Sequence, residues 1–251
     1  MPQGTIQAMS LKNRPALIGA GIGGVLLLGA IGVAIVYFFV FPTSAPSKLS
    51  LASTSSPTAS TSASASPAAA SAGSWTVTSG SQAGYRVRET LAFVGAPSDA
   101  VGRTSSVHGT VTINGSGSSY SVSAAALTVD VNTLTSDRSM RDQRIHNMGL
   151  QSDRYPTATF TLGAPIALPA DAANGQAFTA SATGQLTIHG VTKTVTIPVQ
   201  ARLTAAQIQL AGSITFPFSD FGMTPPSIGG FVSVQDNATM EFAVKLGRQA
   251  A

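Results

Sequence analysis

A reactive site in this chain could draw on three histidines and ten acidic residues, and the sequence contains no cysteine. His108, His146 and His189 lack a histidine partner or an acidic pair at metal-ligand spacing. The absence of cysteine excludes disulfides, thiolate nucleophiles and cysteine-based metal sites. No nucleophile-elbow serine motif and no glycine-rich phosphate or dinucleotide motif occurs. The sequence therefore predicts neither an enzyme nor a metal site, and structural roles for the histidines.

A cluster of arginines offers the second kind of chemistry, which is anion binding. Arg138, Arg141 and Arg144 follow one another at steps of three, so on a helix they occupy adjoining faces. Arginine forks match phosphate, so Arg141 and Arg144 are candidates for holding a polar head group. The alternative is local pairing at i, i+4, between Asp137 and Arg141 and between Arg138 and Asp142. We favour local pairing.

The three arginines lie on adjoining faces only if their segment is helical, and the sequence predicts a helix over 137–148. Ser136 can cap its start, and Gly149 can end it. The apolar side chains of this region predict either a lip over an opening or ordinary core packing. They are Met140, Ile145, Met148, Leu150 and Tyr155.

The rest of 75–247 shows the period-two alternation of β-strands. Leu127, Val129 and Val131 alternate with polar or small residues, and similar patterns recur to the end of the domain. Turn signals at Asn114-Gly115, Asn174-Gly175 and His189-Gly190 predict hairpins. About eight antiparallel strands must cover their edges, which closure into a barrel achieves. The predicted fold class is all-β, an antiparallel barrel with one short helix.

Whether the barrel is hollow depends on the volume of its inward side chains. The domain uses Ala, Val, Thr, Ser and Gly heavily, which leaves room for an apolar ligand, whereas the alternative is a barrel filled by its own side chains. We favour a cavity. The aromatic candidates for contact with an apolar chain, which could also be plain core, are Phe160, Phe216, Phe218 and Phe221.

Ahead of the domain, residues 15–41 predict a single transmembrane helix. The run 16–41 has no charged residue, while Lys12 and Arg14 precede it in the short N-terminal segment 1–14. Positive charge on that side predicts a cytoplasmic N-terminus and a domain outside the cytoplasmic membrane, in the periplasm or cell wall space. A cleaved signal peptide is the alternative, but its apolar region would be shorter. A GxxxG at Gly19 and Gly23 could support a weak homodimer, although chance spacing explains it better.

A low-complexity linker joins this anchor to the domain. Of the 33 residues in 42–74, 30 are Ser, Thr, Ala, Pro or Gly, which predicts a disordered, flexible stalk. Residues 75–251 contain eleven basic and ten acidic side chains. This balance argues against a nucleic-acid partner, because such proteins need a basic face.

An ordered series of short motifs resembles the YceI-like family of exported lipid-binding proteins. The motifs span most of the domain, and the longest is at 184–193 (GQLTIHGVTK). The remaining motifs are 75–77 (WTV), 107–111 (VHGTV), 129–134 (VDVNTL), 141–145 (RDQRI), 155–160 (YPTATF) and 220–222 (DFG).

This resemblance implies an extended lipocalin-like barrel whose interior binds a polyisoprenoid chain, such as an isoprenoid quinone tail. The sequence departs from the family pattern at two places. Residues 85–87 (YRV) stand where a His-Ser pair is common, and 217–219 (PFS) lack the arginine often found before Asp-Phe-Gly. These departures leave the ligand's identity open.

The sequence therefore predicts a membrane-anchored extracytoplasmic protein that carries, stores or shields an isoprenoid-like lipid. Apart from that lipid, no cofactor is predicted. The alternative is an envelope structural or interaction module with a filled barrel and no small-molecule ligand.

Overall fold

The structure is a computed structural model, and it describes residues 45–52, 72–91, 97–228 and 232–248. The predicted anchor at 15–41 and the segment 1–14 lie outside these residues, as does most of the predicted linker. Within the described parts, no helix has the length and apolar character needed to cross a bilayer.

The domain consists almost entirely of antiparallel strands. A short helix, α1 (Ser139–Arg144), continues into a wider π-type turn (Ile145–Gly149). Short 3-10 turns occupy Val131–Thr133, Ala172–Asn174 and Phe218–Phe221. In the described residues the strands are β1 (Gly73–Val77), β2 (Gln82–Leu91), β3 (Pro97–Thr104), β4 (Val107–Ser116), β5 (Ser119–Asp130), β6 (Thr157–Leu162), β7 (Ile166–Ala167), β8 (Ala177–Ile188), β9 (Val191–Leu203), β10 (Gln207–Phe216), β11 (Ser227–Ile228) and β12 (Val232–Arg248).

Eight of these strands form a closed ring in the order β1, β4, β5, β6, β8, β9, β10 and β12. The ring closes because the end of β12 pairs with β1, with Trp75 opposite Arg248. The earlier part of β12 pairs with β2, and β2 pairs with β3, which extends the wall beyond the ring. The prediction of an all-β antiparallel barrel of about eight strands with one short helix is confirmed.

The predicted alternation correctly identifies the inward face of the strands. Two core clusters occupy opposite ends of the barrel, because β9 runs from one cluster to the other. One cluster surrounds the fully buried Trp75 and Leu246, and the other surrounds Phe216 and Phe221. The barrel is therefore closed by packed side chains at the end where Trp75 lies.

One of the three predicted hairpin turns is confirmed. His189 and Gly190 form the two-residue turn between β8 and β9, with φ values of 51° and 74°. Two positive φ angles suit a hairpin because their twist matches that of the strands. Asn114-Gly115 instead lies inside β4, and the turn follows at 117–118. Asn174-Gly175 ends a 3-10 turn ahead of β8.

Two local elements differ from the sequence prediction. Strand β3 was not predicted, because its proline, glycine and charged residues hide the alternation. Helix α1 begins at Ser139, two residues later than predicted. The Ser136 hydroxyl donates to the carboxylate of Asp142 at 2.6 Å and accepts from the backbone N–H of Arg138 at 3.2 Å, so Ser136 stabilises the approach to the helix.

Part of the predicted linker lies against the barrel. Residues 45–52, called the strap below, pair with no strand, yet their carbonyl groups accept hydrogen bonds from arginines of the wall. The low-complexity composition gave no sign of this contact, because the donors are arginines more than thirty residues further along the chain.

Candidate ligand-binding cavities

A first cavity lies inside the ring and has a volume of about 140 Å³. Its walls are almost entirely apolar, because inward positions of the ring strands are aliphatic or aromatic. A cavity with such walls stays dry, and one of about 150 Å³ can take up a benzene-sized molecule. The side chains lining this first cavity include Val111, Ile113, Leu127, Phe160, Phe178, Ala182, Ile197, Leu203, Leu210 and Phe242.

A second apolar cavity, of about 90 Å³, lies at the end of the barrel near α1. One edge of β3 pairs with β2. Its other edge borders the segment before α1, through the pairing of Arg103 with Thr135. The turn after α1 completes the wall. The lining side chains include Tyr85, Val87, Val131, Leu134, Ile145, Leu150, Ile188, Phe216, Phe218 and Met223.

The two cavities are adjacent, because four residues line both of them. Ala83, Val129, Ala158 and Met240 form this shared ring, called the waist below. Two of the four are alanines, so little bulk separates the cavities, and the methionine side chain is flexible. The arrangement places two apolar cavities end to end, separated by the side chains of the waist.

Four of the side chains proposed from the sequence reach this space. Phe160 lines the first cavity, whereas Ile145, Phe216 and Phe218 line the second. Phe221 is buried behind them and packs edge-on against Phe216, with ring centroids 4.7 Å apart.

Three other proposed residues lie elsewhere. Met140 and Met148 are 45% and 64% exposed, and neither lines a cavity. Tyr155 packs against the His189 ring at the β8–β9 turn, with centroids 4.4 Å apart. The sequence predicted these residues to form a lip over the opening, but α1 exposes Met140 and the π-type turn after it exposes Met148.

The arginines of α1 are held by neighbouring acids. Arg141 donates from two nitrogens to the two carboxylate oxygens of Glu89, both at 3.2 Å, and also pairs with Asp137. The predicted pair Asp137–Arg141 is therefore present. Arg144 is half-buried in the last turn of α1, and neither it nor Arg141 lines a cavity.

A family model provides the decisive comparison. The model of the YceI-like domain matches residues 75–246, which is more than half of the chain. The chain belongs to the YceI-like family. No curated protein matches the chain.

Solved structures with the YceI-like fold include a polyisoprenoid binding domain from Saccharophagus degradans implicated in plant cell wall breakdown. It is 15% identical, has a TM-score of 0.51, and the match covers 71% of this chain and all of that one. Burkholderia cenocepacia BcnA is 22% identical with a TM-score of 0.46, covering 64% and 95%. A YceI protein of Campylobacter jejuni is 18% identical with a TM-score of 0.45, covering 56% and 81%. At such identities the first likeness supports the fold alone.

Tyr85 is a cavity residue that sequence reasoning did not propose. Tyr85 is the first residue of 85–87, one of the two places where the sequence departs from the YceI-like pattern. It lines the second cavity beside the waist. Burial raises the pKa of the Tyr85 phenol well above its usual range, although the Arg141 guanidinium acts in the opposite direction. The inward alternation of Ala83, Tyr85 and Val87 was the available signal.

The raised pKa of Tyr85 predicts a loss of stability in alkali. Below pH 10 both the folded and the unfolded chain keep the phenol protonated; above it only the unfolded chain loses the proton. Urea unfolding at pH 8 and pH 11 should therefore show that the wild type loses about 1.4 kcal/mol more than Tyr85→Phe. Equal losses in both proteins would contradict a buried, protonated Tyr85.

A buried serine beside a histidine resembles a catalytic pair only superficially. Ser152 is fully buried, and its hydroxyl donates to the Asn132 side-chain oxygen at 2.8 Å. The His146 Nδ1 lies 2.6 Å from the same hydroxyl and must therefore donate to it, so no base accepts the serine proton. Among the described residues there is also no cluster of His, Asp or Glu that could hold a metal ion.

Proposed function

We propose that this YceI-like protein binds one polyisoprenoid-like lipid, such as a polyisoprenoid or an isoprenoid quinone, along the two cavities of its barrel. The observation that carries the proposal is the pair of adjacent apolar cavities on the two sides of the waist, of about 140 and 90 Å³. A branched apolar chain can pass the waist because only Ala83, Val129, Ala158 and Met240 border it.

Burial of apolar surface supplies the affinity. Each methylene buried contributes about 0.8 kcal/mol, so one five-carbon isoprene unit contributes about 4 kcal/mol. The polyisoprenoid binding domain of Saccharophagus degradans supports the ligand class, because it has the same fold. Since Arg141 is engaged by Glu89 and Asp137, the structure favours a ligand whose head group is neutral or remains outside the barrel.

The proposed setting is the outer side of the cytoplasmic membrane. It rests on the sequence, in which the uncharged run within 15–41 follows Lys12 and Arg14. In this setting the protein would carry, store or shield a lipid drawn from the adjacent bilayer. The competing proposal, an envelope module with a filled barrel, is disfavoured by the cavities.

Native mass spectrometry of the full-length chain, released from detergent micelles, tests the proposal. We expect an equimolar lipid adduct whose fragments differ by isoprene units. Delipidated protein should regain the adduct when mixed with an isoprenoid quinone but not with a straight-chain phospholipid. If no adduct forms in either preparation, the binding proposal is wrong and the structural alternative stands.

A further inference from the structure

The strap crosses the outer wall of the barrel in an extended conformation. The Pro46 carbonyl accepts a hydrogen bond from Arg86 on β2 at 2.7 Å, and the Ser47 carbonyl accepts one from Arg103 on β3. At the other end, the Ala52 carbonyl accepts from Arg202 on β9 at 3.0 Å. Because β9, β10, β12, β2 and β3 are consecutive neighbours in the sheet, the strap spans five strands.

The first of these contacts covers a buried group of charges. Glu241 on β12 accepts from Arg103 at 2.9 Å and from Arg86 at 3.5 Å. Glu241 borders the first cavity beside Met240 and Phe242, but its carboxylate bonds to Arg86 and Arg103, which strand alternation places on the outer face, and Glu241 is only 2% exposed. An outward side chain is buried only where something covers it, and Arg86, which also pairs with Asp99 at 3.2 Å, directs a further donor to the Pro46 carbonyl.

The strap also has the pattern of a segment with one buried face. Leu49 and Leu51 are half-buried, whereas Lys48, Ser50 and Ala52 are exposed. Two side chains that the strands turn outward near the strap's contacts are themselves buried. They are Val101, opposite Arg86, and Ala211, opposite Gln200.

We propose that the outer wall of the barrel is a peptide-binding surface whose occupant is the strap, so that the folded domain begins at residue 45. The recognition is main-chain directed: three arginines donate to carbonyl groups, and two leucines pack against the wall. The match to the YceI-like domain begins only at residue 75, so the strap is an addition outside the region shared with the family. The proposal does not depend on which lipid the interior holds.

Lys48 provides a built-in reporter, since it is the only Lys or Arg between Arg14 and Arg86. Trypsin needs several residues of released, flexible chain, so a docked strap protects the bond after Lys48. The test follows cleavage after Lys48 by mass spectrometry in the full-length chain, purified in a mild detergent. Cleavage after arginines of the barrel serves as an internal reference for global unfolding.

The double variant Arg103→Met with Arg202→Gln removes one donor at each end of the strap, while Glu241 keeps Arg86 as a partner. Because this variant also breaks the Arg103–Glu241 pair, cleavage after Lys48 is expressed relative to cleavage in the barrel, and we expect that ratio to rise at least about tenfold over the wild type. Arg248→Gln is the matched control, because Arg248 also donates to a carbonyl, but to that of Ala72, which lies outside the strap. It should leave cleavage after Lys48 unaltered.

A second variant leaves every barrel residue in place. It replaces Leu49 and Leu51 with serine and so removes the half-buried face of the strap while keeping Lys48. This variant should also be cleaved at least about tenfold faster after Lys48. Equal cleavage after Lys48 in the wild type and in both variants would overturn the proposal.

Discussion

Ala182→Phe should abolish uptake of an isoprenoid while leaving the barrel folded. Ala182 lies on β8 and lines the first cavity. A phenyl ring there fills the volume of about one isoprene unit. Losing the burial of that unit costs about 4 kcal/mol of binding free energy and weakens binding roughly 1000-fold. Uptake of an isoprenoid quinone by delipidated protein, followed by native mass spectrometry, measures the loss.

The matched control for this variant is Ser181→Phe, on the same strand. Ser181 is exposed on the opposite face of β8, so the introduced phenyl ring extends into solvent. Uptake should therefore stay at the wild-type level. Thermal unfolding should show Ala182→Phe to be at least as stable as the wild type, because the ring fills a void. Normal uptake by a folded Ala182→Phe protein would show that the ligand does not occupy this cavity.

Glu241→Gln should cause the largest loss of stability among single changes in the wall. The carboxylate is buried between Arg86 and Arg103, so the amide removes the anion that Arg103 bonds and leaves Arg86 with Asp99, 3.2 Å away. Breaking a buried ion pair from one side typically costs about 3–5 kcal/mol. Urea denaturation of the full-length chain should show a decrease of this size in the free energy of unfolding.

Asp220→Asn provides the comparison for that loss. Asp220 pairs with Lys193 at 2.5 Å, but both side chains are about 40% exposed. Exposed pairs contribute about 0–1 kcal/mol, so this variant should be nearly as stable as the wild type. If Glu241→Gln is equally mild, then Glu241 is accessible to water and the strap does not cover it.

Strand periodicity allowed much of the fold to be predicted. The alternating residues of β5, β9, β10 and β12 are the ones that line the cavities, because a half-buried strand must place its apolar side chains on one face. Strand β3 was missed because it combines Pro97 and Gly102 with four charged or polar residues. Its pairing with β2 stabilises it, although its own sequence lacks a strand pattern.

The candidate site was only partly predictable, because distant partners decide it. Arg141 was correctly paired with Asp137 four residues away, but Glu89 lies 52 residues away in the chain and gives no local signal. The waist depends on which alanines meet across the barrel, namely Ala83 and Ala158. Small residues look alike in a sequence, and only strand register shows which of them border a void.

The closure between β1 and β12 has a consequence for the order in which the molecule can be made. β12 follows the other described strands along the chain, yet it pairs with β1, β2 and β10. Until β12 has been synthesised, each of these three strands has an unpaired edge, and such distant pairings form slowly. The nascent chain therefore exposes aggregation-prone strand edges until β12 pairs with them, and the ring that encloses the first cavity closes only at that point.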